Sequence, residues 1–67
     1  MPEKIRELIK RLKDAGFIEI SGAGKDSHRK FVHDRYPDIV TISGQLGHDA
    51  KRYQEKQVNQ VIEDVAQ

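Results

Sequence analysis

Nine consecutive residues, Lys25-Asp26-Ser27-His28-Arg29-Lys30-Phe31-Val32-His33, gather two imidazoles, a hydroxyl and three cations. Ser21-Gly22-Ala23-Gly24 precedes them and reads as a turn. Histidine is the common side chain whose unperturbed charge change falls near physiological pH, so it can give or take a proton at a reacting centre. Cations close by can stabilise charge on phosphate oxygens, and a serine hydroxyl or its backbone amide can position the phosphate. That set of groups suits metal-free cleavage of RNA. RNA brings its own nucleophile in the 2′-hydroxyl, so the protein need only remove a proton, stabilise the phosphorus oxygens and help the 5′-oxygen leave. Each residue also has a plainer role open to it: an exposed strand histidine, or charges that do no more than keep a surface soluble.

Something must hold these side chains, and the flanking pattern says what. Ile5, Leu8, Ile9 and Leu12 recur at i, i+3, i+4 and i+7 among Glu, Lys and Arg, which predicts an amphipathic helix over residues 3 to 15. Pro2 and Glu3 suit its first turn, Lys13 its last, and Gly16 is placed to end it. Phe17-Ile18-Glu19-Ile20 reads as a short strand. A second strand starts near Ser27 or His28 and ends at His33, with His28, Lys30 and Val32 on one face and Arg29, Phe31 and His33 on the other. Asp34-Arg35-Tyr36-Pro37-Asp38 is expected to turn the chain into a third strand, Ile39-Val40-Thr41-Ile42, making an antiparallel hairpin. After a loop over residues 43 to 49, Val58, Val61, Ile62 and Val65 repeat the helical spacing. The start of that helix is not marked by a capping residue.

The expected architecture is therefore α+β: an α-β-β-β-α order in one domain over residues 1–67. Two helices that each offer one apolar stripe must bury it on a common partner, and the chain supplies only one three-stranded antiparallel sheet. Both helices are expected on one face, leaving the other open.

Size and composition limit the function. A 67-residue chain has no room for a cleft between domains, so a site must lie on an exposed sheet face or loop. It has no cysteine, hence no disulfide and no thiolate metal site, which is compatible with a reducing cytosol. Three scattered histidines do not make a metal site either, and no cofactor is implied. Apolar runs are only a few residues long and the N-terminus reads as a charged helix, so we expect a cytoplasmic protein without membrane span or secretion signal. The formal net charge is only +1, yet it is unevenly spread. Residues 1 to 36 carry nine Lys or Arg against six Asp or Glu, whereas residues 37 to 67 carry three against five. Salt screens charges beyond about 8 Å, so the local excess matters more to a phosphate than the total does. The basic half is the half with His28.

The Ser27-His28 pair, the Phe31 and His33 that follow it, the opening helix ending in Gly16-Phe17 and the closing helix together resemble the HicA-type mRNA interferase toxins. Thr41-Ile42-Ser43-Gly44, Lys51 and Tyr53-Gln54-Glu55-Lys56 resemble one branch of that family. The chain departs from the family pattern at Asp26, where a glycine often precedes Ser-His, and at Ser43-Gly44, where a proline-containing segment is common. The resemblance implies a double-stranded-RNA-binding-domain-like fold and the toxin of a toxin-antitoxin system. It further implies an endoribonuclease that cleaves mRNA and slows translation, with His28 as its catalytic residue. Gly24, Lys25, Ser27, Arg29 and Lys30 are then the substrate-binding candidates. A HicB-type antitoxin is the implied partner, with a higher-order toxin-antitoxin complex as a further expectation.

The rival reading is a non-catalytic RNA-binding module of the same fold, in which the same cations hold phosphates and no bond is broken. A third is a small interaction domain whose edge strand accepts a partner strand. His33 shares a face with Phe31 and is expected to be structural, and His48 is expected to be a solvated loop residue. Tyr36 and Tyr53 are expected to pack at a turn and a helix entry rather than stack on bases.

Overall fold

The protein is described by a computed structural model covering residues 3–20 and 28–66. Five elements follow one another: α1 (Ile5–Asp14), β1 (Ile18–Glu19), β2 (Arg29–His33), β3 (Tyr36–Ile42) and α2 (Arg52–Ala66). This is the α-β-β-β-α order expected from the sequence. The strands form one antiparallel sheet in the order β1-β2-β3, which makes β2 the central strand.

The α1 stripe is the expected one: Ile5, Leu8, Ile9 and Leu12 are all buried. At its start, the Glu7 carboxylate accepts the Lys4 N–H at 2.7 Å, and the carbonyls of His48 and Leu46 accept the N–H groups of Ile5 and Arg6. Amide donors that a helix leaves unpaired are thus used to dock the 43–51 loop. At the other end, Phe17 N–H bonds to Leu12 C=O and Gly16 N–H to Lys13 C=O, with Gly16 at φ +103°. That is a Schellman ending, which requires a left-handed residue after the cap and so favours glycine. It throws Phe17 into the core.

The hairpin between β2 and β3 is tighter than the sequence suggested. Only Asp34 and Arg35 form the turn, and Tyr36 and Pro37 already belong to β3. The expected five-residue turn is corrected by the pairing of His33 with Tyr36. Pro37 lies on a strand at the sheet's edge, where a missing N–H can leave the ladder intact. The surplus chain is taken up as a bulge: Phe31 pairs with Val40 but His33 with Tyr36, so three residues of β3 lie opposite the single residue Val32.

Phe31, Val40 and Ile42 are buried on one face of the sheet, and Val58, Val61 and Val65 of α2 join the α1 stripe against them. Lys30 and Thr41, paired and both exposed, belong to the other face. The start of α2 becomes clear in three dimensions. Buried Gln54 accepts the Lys51 N–H through Oε1 and donates through Nε2 to the Ser43 carbonyl, both at 2.8 Å. One side chain therefore caps the helix and ties it to the end of β3.

Candidate active site

β2 begins at Arg29, so His28 stands at the entry to the central strand, and it is exposed. From that point the strand's alternation separates the neighbouring cations. Lys30 lies on the open face, whereas Arg29 shares the helix-facing register of Phe31. The Arg29 guanidinium donates to Glu19 Oε2 at 3.1 Å, and the other oxygen of Glu19 lies 3.9 Å from Lys13 Nζ. Glu19 is directed there because it pairs with Phe31 across β1 and β2 and so shares its face. Of the two described substrate-binding candidates, Lys30 lies on the open face two residues after His28, and Arg29 is turned toward α1. Gly24, Lys25 and Ser27 lie outside the described residues.

His33 has the packing expected of a structural residue. Its ring lies 5.0 Å from that of Phe17, and Nδ1 accepts the Arg35 N–H at 2.9 Å. The other ring nitrogen faces Gly16. The His33 ring is thus engaged in packing by the fold, whereas His28 is exposed. Tyr36 also packs near Phe17, 6.0 Å between ring centroids, while Tyr53 is exposed at the start of α2. The expected helix-entry packing for Tyr53 is therefore corrected: the buried residue of that turn is Gln54, and Tyr53 points away from it. His48 is an exposed loop residue whose carbonyl, rather than its ring, is used.

The open face around Lys30 is not purely polar. Ile18 is 65% exposed and Ile39 54%, and Val32 between them is half-buried. Sequence reading did not find this aliphatic surface, because Ile18 and Ile39 look like ordinary strand residues until the register assigns them to the uncovered side. It also missed a cleft of about 350 Å³ on the far side of Arg29, lined along α1 by Arg6, Lys10 and Lys13. The available signal was the i, i+4, i+7 spacing of those cations.

Among the described residues, no three His, Asp or Glu side chains gather in a way that could hold a metal ion, and no helix is long and apolar enough to cross a membrane. The arrangement offers an exposed imidazole at a strand entry, a cation on the open face two residues further on and an aliphatic surface beside that cation.

Comparison with known proteins bears on the chain as a whole. Neither a curated protein nor a solved structure gives a significant match. One family profile, described as the HicA toxin of bacterial toxin-antitoxin systems, matches residues 5–65, from the first residue of α1 to within one residue of the end of α2. The chain belongs to the HicA toxin family.

Proposed function

We propose that this toxin is a metal-independent endoribonuclease that cleaves mRNA, with His28 as its acid or base, and that a HicB-type antitoxin holds it in check. The observation that carries the reading is the exposed position of His28 where the chain enters the central strand, with Lys30 following on the open face. In the reaction, the 2′-oxygen attacks the adjacent phosphorus, the bond to the 5′-oxygen breaks, and a proton leaves the first oxygen while another reaches the second. His28 performs one of these transfers, a contribution typically of about 10²–10⁴-fold. Lys30 stabilises charge on the phosphate oxygens, and Lys25 and Ser27, preceding His28 in the chain, hold the phosphate with the Gly24 backbone.

A substrate strand on an open face leaves that face available to an inhibitor. The aliphatic surface of Ile18, Val32 and Ile39 beside Lys30 supports an antitoxin that seats apolar side chains there and acidic ones over the cations. An interface of ordinary size buries about 800 Å² per partner, enough to cover the site on so small a protein.

The test is incubation of the purified protein with a structured transcript, with and without EDTA. The reading expects the same fragments in both. A protein that binds the transcript and leaves it intact is the non-catalytic module instead.

A further inference from the structure

We infer that the cleft between α1 and the β1-β2 edge is a second RNA subsite, which holds the nucleotide next to the one cleaved. The inference rests on the proposed RNA substrate. Four observations carry it.

The first is charge. Of the cations on α1 and its cap, Lys4, Arg11 and Lys13 each have a carboxylate within 4 Å, whereas Arg6 and Lys10 are exposed and make no ion pair among the described residues. The cleft also has two carboxylates, Glu19, compensated by Arg29 and Lys13, and the exposed Asp14, so its lining carries four cations, Arg6, Lys10, Lys13 and Arg29, against two anions. What remains toward solvent on this flank is a positive edge.

The second is shape. At about 350 Å³ the cleft falls in the range of small-ligand sites, about 300–1,000 Å³. Its apolar lining comes from Ile9 of α1 and from Leu46 of the loop between β3 and α2. Leu46 is held there by its own carbonyl, which accepts the Arg6 N–H at 3.2 Å. An aliphatic lining with a cationic rim matches a nucleotide, whose base has an apolar face and whose phosphate is anionic.

The third is spacing. Arg6 and Lys10 are one helical turn apart, about 6 Å along the axis, so two successive phosphates of one strand can meet one cation each.

The fourth is continuity. Arg29 is both a lining residue of the cleft and the residue after His28. A strand whose reacting phosphate sits at His28 is therefore one residue away from the cleft, at the end of the sheet where β2 begins. This continuity favours RNA over an acidic protein segment as the occupant.

The experiment measures binding of a fluorescent single-stranded RNA to His28→Ala protein as a function of salt, with Arg6→Gln and Lys10→Gln added singly and together, and Lys56→Gln on α2 as a control. Both α1 side chains are exposed, and thermal midpoints of all variants verify folding. The expected result is a loss of about 0.7 in the slope of log K against log salt per groove cation and no change for Lys56→Gln. Unchanged slopes in the folded double variant overturn the subsite. If those slopes are unchanged while affinity for the purified antitoxin falls, the cleft belongs to a protein segment and the RNA assignment is overturned as well. Cleavage by the wild-type protein is scored separately. A wild-type protein that cuts RNA with groove variants that bind normally refutes the subsite alone, and slope losses without any cleavage refute only the ribonuclease reading.

Discussion

Gly16 and His33 fix each other. A Cβ built on Gly16 falls 2.9 Å from His33 Nε2, and the ring cannot easily withdraw, since Phe17 packs beside it and the Arg35 N–H holds its Nδ1. The φ of +103° that ends α1 and the ring that supports the β2-β3 turn are one packing unit.

Gly16→Ala therefore meets two penalties, a left-handed backbone and a close contact with the ring. A loss of roughly 1–3 kcal/mol is expected from the backbone alone, read by denaturant or thermal unfolding. His33→Ala is expected to destabilise as well while RNA cleavage by the protein that remains folded persists. Loss of cleavage without loss of stability would move His33 into the reaction.

Asp49 gives the fold a dependence on acid. Its carboxylate accepts from Lys4 Nζ at 2.6 Å, and that hydrogen bond, with the charge of Lys4 behind it, holds its pKa below the ordinary value of 3.8. A carboxylate depressed in the folded state stabilises it above the unfolded pKa, and the benefit is lost as pH falls through the folded one. Asp49→Asn should thus lower the thermal midpoint slightly at neutral pH, with the gap to wild type closing below pH 3.8. A gap that stays constant into acid would mean that the pair contributes nothing.

Much of this architecture could be read from residue spacing. The α1 stripe, the Gly16 stop and the alternation that separates Lys30 from Arg29 and Phe31 are local properties, and local spacing dictates them. The start of α2 was hidden because Gln54 caps it from inside the helix while bonding to Ser43, a contact across eleven residues. The tight Asp34-Arg35 turn was hidden because Pro37 is a turn former by type, and only a bulged register at a sheet edge lets it enter a strand. At the site, the type and position of His28 were legible. The diversion of Arg29 to Glu19 was not, since it depends on β1 and β2 pairing Glu19 with Phe31.

For the candidate phosphate-binding cations, Lys25→Ala and Lys30→Ala in a catalytically inactive background should each reduce the salt slope of RNA binding by roughly 0.7. The effect should not depend on RNA sequence, because phosphate contacts carry none. Unchanged slopes in both would make these lysines ordinary solvated surface.

Inhibition by cover predicts where the antitoxin protects the toxin. Hydrogen-exchange mass spectrometry on free and bound protein should show new protection over residues 24 to 33 and around Ile39. Protection confined to α1 and α2 would place the antitoxin on the other side of the sheet and make its control indirect.

The central claim is that His28 carries proton transfer while contributing little to the fold. The measurement is single-turnover cleavage of a defined RNA by His28→Ala, beside its unfolding curve. Removing an exposed side chain usually changes stability by under about 0.5 kcal/mol, so the curve should barely move. The rate should fall by about 10²–10⁴-fold or more. A folded His28→Ala protein that cleaves at the wild-type rate would contradict the account.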